Sequence, residues 1–67
     1  MHTYFIQELY SDGTVHHEHT LECNDEIAPI AVSQNLFKSP HFEADAIRVL
    51  TNDGEELVCL GFDKLKK

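Results

Sequence analysis

Three histidines within four positions are the residues of this sequence best suited to metal chemistry. They are His16, His17 and His19, and Cys23 follows four positions later. On a β-strand, alternate residues share a face and lie about 7 Å apart, so His17, His19 and Cys23 would point the same way. Neutral imidazoles and thiolates bind zinc, copper or nickel. These three residues are therefore candidate metal ligands. The alternative is a set of ordinary strand side chains, and no cofactor is predicted.

Carboxylates form the second group whose spacing could have a function. Glu18 and Glu22 share one face of the same predicted strand, and the hairpin register given below adds Glu8 to that face. Strand positions i and i+2 lie about 7 Å apart, which is of the order of the spacing of neighbouring phosphates along a nucleic-acid strand. Such a row predicts contact with a groove lined by lysine and arginine, and a solvated polar face is the alternative. The predicted partner-binding residues are Glu8, Glu18, Glu22, Asp53, Glu55 and Glu56.

The charge balance favours the same kind of partner. The formal net charge is -7, and three of the five basic residues stand in the last four positions. Residues 1–63 carry 12 acidic and 2 basic residues. A body this acidic repels phosphate, so direct nucleic-acid binding and attraction to an anionic membrane are both disfavoured. A basic protein surface is the natural complement, although acidity that serves only solubility remains open.

Motifs for catalysis, secretion or membrane insertion are missing from the sequence. There is no G-x-S-x-G, P-loop or Rossmann glycine pattern, so the chain is not expected to be an enzyme. The first ten residues have no basic region and no long apolar run, so no signal peptide is expected. No stretch approaches the roughly 18 apolar residues of a membrane span. With Cys23 and Cys59 outside any C-x-x-C pair, we expect a cytoplasmic protein with reduced thiols.

Four strands and one helix are expected to position these groups. Aromatic and branched residues predict strands over 3–10, 14–23, 45–51 and 55–62. Ser11-Asp12-Gly13 and Asn52-Asp53-Gly54 separate them as turns. Asn24-Asp25-Glu26 predicts a helix start, with Pro29 in the first turn. The helix should end near Phe37 or Lys38, because Ser39-Pro40 breaks it.

Glycine-containing turns set the register expected for both hairpins. A three-residue loop with glycine in the left-handed conformation forms a type I turn plus a bulge. In the first hairpin this register pairs Tyr10 with Thr14, Leu9 with Val15, Gln7 with His17, and Phe5 with His19. In the second it pairs Val49 with Leu57, and Ile47 with Cys59. The opposite face of that hairpin then carries Leu50, Val58, Leu60 and Phe62. We expect a second copy or a partner to cover this apolar face.

Together these elements predict one domain over residues 1–67 with an α+β fold. It is a three- or four-stranded antiparallel sheet with one α-helix packed on one face, in the order β-β-α-β-β. The second strand is the element whose presence decides between three strands and four. The predicted core consists of Phe5, Leu9, Leu21, Ile27, Ile30, Ala31, Phe37, Ile47, Val49, Leu57 and Cys59.

The predicted order of elements is a hairpin, a helix and a closing hairpin, the last with the sequence A-I-R-V-L-T-N-D-G-E-E-L-V-C-L at residues 46–60. This order resembles the plan of very small phage-encoded anti-CRISPR proteins. Some members of that group are acidic and mimic DNA, and they block a CRISPR surveillance complex from its target. The resemblance covers most of the chain in plan, size and charge, and it carries over no residues. It implies a non-catalytic inhibitor that occludes a basic nucleic-acid-binding surface in the host bacterial cytoplasm.

Two other functions remain open at this point. One is a small adaptor module, monomeric or homodimeric, that associates through the apolar face of the second hairpin. The other is metal binding through His17, His19 and Cys23.

Overall fold

Four antiparallel strands in the order β2-β1-β3-β4 form one sheet, and a single helix packs on one of its faces. The structure, a computed structural model, describes residues 1–61. The elements are β1 His2–Leu9, β2 Val15–Cys23, α1 Ile27–Lys38, β3 Ala46–Thr51 and β4 Glu56–Leu60. The predicted α+β fold is therefore confirmed, with four strands rather than three. The expected extension of the last strand to Phe62 lies outside the described residues.

Both hairpin turns have the predicted chemistry. Gly13 and Gly54 adopt φ of 89° and 90°, a conformation that glycine reaches without steric cost. The amide of Tyr10 donates to the carbonyl of Thr14 over 2.9 Å, which confirms the predicted pair at the base of the first loop. The amide of Thr51 makes the equivalent 2.8 Å bond to Glu55 in the second.

Beyond the first turn, the pairing departs from the prediction. Leu9 pairs with Val15 as expected, but β2 then contains one extra residue, His16, which shifts the register by one. The pairs that follow are Glu8–His17, Gln7–Glu18, Ile6–His19 and Phe5–Thr20. The predicted pairs Gln7–His17 and Phe5–His19 are therefore wrong by one position, and every side chain of β2 beyond the bulge changes its neighbour on β1.

The second hairpin contains the same irregularity. Leu57 is the extra residue of β4, so the observed pairs are Leu50–Glu56, Val49–Val58, Arg48–Cys59 and Ile47–Leu60. The predicted pairs Val49–Leu57 and Ile47–Cys59 are wrong by one position. Val58 and Leu60 consequently pack against the core, and they do not form the expected exposed apolar face.

The core lies between the helix and the two central strands. Its buried cluster is formed by Tyr4 and Ile6 of β1 with Ile47 and Val49 of β3. Partly buried residues that pack against this cluster include Leu36, Phe37, Phe42, Leu57, Val58, Leu60 and Cys23. Of the predicted core, Leu9, Ile47 and Val49 are buried, and Phe5, Leu21, Ile30, Phe37, Leu57 and Cys59 are half-buried. Ile27 and Ala31 are exposed, so their assignment to the core was wrong.

Helix α1 begins as predicted but buries a different face. The Asp25 carboxylate accepts hydrogen bonds from the amides of Ile27 (2.9 Å) and Ala28 (3.0 Å), which satisfies two of the free donors of the first turn. The buried residues are Pro29 and Ser33, four positions apart on one helix face, and Ile27 is 76% exposed. The Ser33 hydroxyl donates to the Ile30 carbonyl (2.7 Å), so this polar residue can be buried. No helix in the described part of the chain could cross a membrane.

Candidate functional site

Because the helix covers only one side of the sheet, the other side is left as an open face. We use this name for ten exposed or half-buried side chains that the strand pairing directs away from the helix. They are Thr3, Phe5 and Gln7 of β1, Glu18, Thr20 and Glu22 of β2, Arg48 and Leu50 of β3, and Glu56 and Cys59 of β4. Leu9 and Ala46 follow on the same side by alternation but are buried. Four of the strands' residues carry charge there: the carboxylates of Glu18, Glu22 and Glu56, and the guanidinium of Arg48.

A chain of polar side chains crosses the open face from one edge strand to the other. Gln7 Nε2 donates to Glu18 Oε2 over 2.7 Å, and Arg48 Nε donates to Gln7 Oε1 over 2.8 Å. Arg48 Nη1 lies 4.0 Å from Glu56 Oε1. Glu18 and Glu56 are three strand spacings apart across the sheet and two residues apart along it, which amounts to about 16 Å between their backbone positions. Exposed pairs of this kind add little stability.

The centre of the open face is apolar. Phe5 of β1 pairs directly with Leu50 of β3, and both side chains are half-buried. Thr20 and Glu56 flank them in the same row, on β2 and β4. An apolar centre within a polar, charged rim is the arrangement typical of protein–protein interfaces.

Glu8, which the sequence placed beside Glu18 and Glu22, lies on the opposite face of the sheet. The bulge at His16 is the cause, because it pairs Glu8 with His17. The Glu8 side chain is only 13% exposed, and its Oε2 lies 2.7 Å from Nε2 of His19. Glu8 is therefore engaged within the protein, and its predicted place in a continuous acidic row was wrong.

Asp53 and Glu55 form a third location. They belong to the turn between β3 and β4, where the Thr51 hydroxyl oxygen accepts hydrogen bonds from the amides of Asp53 (3.3 Å) and Glu55 (3.1 Å). Both residues line a cleft together with Tyr4 and Glu26. The six predicted residues thus divide among the open face, the helix-covered face and this turn.

Sequence reasoning missed Tyr4 and Glu26 at this cleft. The signal for Tyr4 was its spacing from Ile6 and Glu8, since alternate residues of a strand share a face. These three residues of β1 lie on the helix-covered face. Glu26 was interpreted only as a favourable charge at the helix start.

The histidines do come together, but without Cys23. The rings of His17 and His19 lie 4.4 Å apart between centroids, on one face as predicted. Cys23 is four strand positions from His19, which is about 13 Å, and its Sγ donates to the Asp25 carbonyl over 3.1 Å. Among residues 1–61, no group of three or more histidine, cysteine, aspartate or glutamate residues is arranged to hold a metal ion.

Comparisons with known proteins give no independent guide to this site. No family model, curated protein or solved structure matches the chain. The resemblance to anti-CRISPR proteins therefore stays a prediction from plan, size and charge, and the functional argument depends on the surface of the molecule itself.

Proposed function

We propose that this protein is a non-catalytic binding protein whose open face occupies a basic, nucleic-acid-binding surface of another protein. The observation that supports the proposal is the composition of that face. Three carboxylates, from Glu18, Glu22 and Glu56, surround the half-buried pair Phe5 and Leu50, and one guanidinium accompanies them. A partner that buries the apolar pair must therefore neutralise an excess of negative charge.

The dimensions of the carboxylate array suit a surface built to receive nucleic acid. Glu18 and Glu22 lie about 13 Å apart along β2, and Glu18 and Glu56 about 16 Å apart diagonally across the sheet. A sheet holds such an array more rigidly than a loop does. The partner's lysine and arginine residues, otherwise paired with phosphates, would pair with these carboxylates, and the apolar centre would add contact that DNA or RNA lacks.

Long-range attraction supports the same partner. Residues 1–61 contain eleven acidic and two basic residues, so the negative field extends beyond the open face. Such a field accelerates association with a basic protein and weakens as salt screens it. More specifically, we propose that the protein is a DNA-mimic anti-CRISPR protein that acts on a CRISPR surveillance complex. The support for this more specific proposal is the resemblance in plan, size and charge.

Affinity capture from a bacterial lysate with matched variants tests the proposal. We expect the wild-type chain to retain a basic nucleic-acid-binding protein, which duplex DNA should displace. The triple variant Glu18→Gln/Glu22→Gln/Glu56→Gln should associate with that protein about tenfold more slowly at low salt, because it lacks the steering charges. The control Asp12→Asn/Glu43→Gln removes two exposed charges that lie outside the four strands and should retain the partner.

Two results would overturn the proposal. The first is that the triple variant binds the captured protein as fast as the wild type does. The second is that no basic protein is retained, or that only a second copy of the chain is. Retention of a second copy, followed by concentration-dependent sedimentation of the purified chain, would instead establish the homodimeric adaptor module.

A further inference from the structure

A polar cleft lies where β1 begins and β3 ends, beside the start of the helix. Its volume is about 200 Å³, which corresponds to roughly six water molecules. Its walls are the first residues of β1, Glu26 immediately before α1, and the turn between β3 and β4. This cleft is separate from the open face, and its side chains come from three segments that are distant in sequence.

Tyr4 places a buried polar group at this cleft. The residue is 4% exposed and lines the cleft, yet its hydroxyl has no hydrogen-bond partner among residues 1–61. Every fully buried side-chain nitrogen or oxygen of those residues does have a partner. Because Tyr4 lines the cleft, a ligand bound there can supply a hydrogen bond to this hydroxyl. Burial raises the pKa of Tyr4, as do the charges of Glu26, Cys23 and Asp25, so the hydroxyl stays protonated at neutral pH.

The electrostatic character of the cleft is acidic. Glu26, Asp53 and Glu55 line it, and all three residues are exposed. No lysine or arginine is among its described lining residues. The adjacent helix start does not call for an anion, because Asp25 already accepts hydrogen bonds from the amides of Ile27 and Ala28.

We infer that the cleft binds a guanidinium or primary ammonium group. Tyr4 supplies the buried acceptor, and Glu26, Asp53 and Glu55 supply the opposing charge. A guanidinium suits this arrangement best, because its five N–H donors lie in one plane and it is more weakly hydrated than an ammonium. The described residues include no group of three or more histidine, cysteine or acidic side chains arranged to hold a metal ion, and the proposed ligand is an organic cation.

This inference does not depend on the open face, and it gives Asp53 and Glu55 a separate role from the one expected of them. The same cationic chemistry could come from an arginine side chain of a protein or from a free alkylguanidine. The experiment below separates these two sources.

The test is a titration of the full chain followed by two-dimensional amide NMR. The probes are N-acetylarginine methylamide, agmatine and N-acetylcitrulline methylamide, the last being a neutral analogue of the arginine probe. We expect both cationic probes to shift the amides of residues 2–4 and 52–55 without shifting those of β2. The citrulline probe should leave all of them unchanged. If the arginine probe binds as tightly as agmatine, the site takes an arginine side chain, whereas much tighter binding of agmatine would indicate a free alkylguanidine.

Variants distinguish a ligand contact from a structural role. Tyr4→Phe keeps the buried ring and removes the hydroxyl, and we expect it to weaken binding of the arginine probe about tenfold. Its melting temperature should not fall, because the hydroxyl has no hydrogen-bond partner among residues 1–61. Glu55→Gln should weaken binding severalfold without touching the core, and Glu18→Gln on the open face should have no effect. Unchanged affinity in both Tyr4→Phe and Glu55→Gln, or equal shifts with the citrulline probe, would overturn the inference.

Discussion

The two hairpins of this protein have the same turn and the same bulge, but the bulge places different kinds of side chain on the helix-covered side. Each has an Asp-Gly turn with a glycine near φ +90°. Each has one regular pair above the loop, Leu9–Val15 or Leu50–Glu56, and then one extra residue in its second strand. In β4 this shift turns Val58 and Leu60 into the core. In β2 it turns His17 and His19 to the same side of the sheet, where they meet each other and Glu8.

The helix-covered side of the sheet accommodates apolar residues on β4 and histidines on β2. Helix α1 lies mainly over β3. On this side of the sheet, Val58 and Leu60 of β4 pack against the core, whereas on β2 His17 is exposed and His19 half-buried. Because of the bulge in β2, Glu18 and Glu22 lie on the open face, while Glu8 of β1 lies on the other side of the sheet. One inserted residue therefore decides which carboxylates of the two strands share a face.

Truncation of the two edge-strand residues that share one row of the sheet, Leu60 of β4 and His17 of β2, should give the largest effect. Leu60→Ala removes a side chain that packs on the core, and we expect it to cost about 2 kcal/mol of unfolding free energy, the low end for a leucine because the residue is half-buried. His17→Ala on β2 should change the unfolding free energy by less than about 0.5 kcal/mol. Urea denaturation of both variants measures the difference. Equal costs would mean that the helix covers β2 and β4 alike, contrary to the comparison.

The two bulges also mark how much of the fold could be predicted from the sequence. The turns, the strand and helix positions and the antiparallel sheet were predictable, because Asp-Gly pairs, alternation and Ser39-Pro40 are local signals. The register beyond the loops was not. A period of two describes the side chains of β2 equally well before and after His16, and only packing against Ile6 and the helix selects one pairing.

The buried face of the helix could not be predicted from local signals either. Ile27 looked more suitable for burial than Ser33, yet the helix approaches the sheet through Pro29 and Ser33. The candidate site depended on this tertiary information throughout. Glu18 and Glu22 were predicted from their spacing on one strand face and Glu56 from its charge, but Gln7 and Arg48, which contact Glu18 and Glu56, required the sheet order.

Replacement of the turn glycines should give a smaller effect that is equal in the two hairpins. Gly13→Ala and Gly54→Ala each force a side chain into the left-handed region, where an added Cβ would meet no atom within 4 Å. Each should therefore cost only the conformational strain, about 1 kcal/mol. D-Alanine at either position, introduced by chemical synthesis, should restore or raise stability, since its mirror-image preference suits a positive φ. A large inequality between the two costs, measured by urea denaturation, would show that the turns are not equivalent.

The smallest expected effect concerns how the two turns are held, and it depends on pH. The Asp12 carboxylate accepts a 2.8 Å hydrogen bond from the Thr14 amide, whereas the second turn uses the uncharged hydroxyl of Thr51. Hydrogen bonds from the side chain and the backbone of Thr14 lower the pKa of Asp12. A lowered native pKa means that the carboxylate stabilises the fold above the unfolded value of about 3.9, and that this contribution is lost as the pH falls through the native pKa.

Asp12→Asn keeps an acceptor oxygen but removes the charge, so the wild type should be the more stable protein near neutral pH. This advantage should disappear in acid, below the native pKa of Asp12. Thr51→Val, which removes the acceptor of the second turn, should cost the same free energy across that range, because a hydroxyl does not titrate there. Urea denaturation as a function of pH measures both differences, and carboxyl-carbon NMR gives the pKa of Asp12 directly. A midpoint for Asp12 at or above about 3.9 would show that its hydrogen bond to Thr14 does not favour the charged form, and the two turns would then be held in equivalent ways.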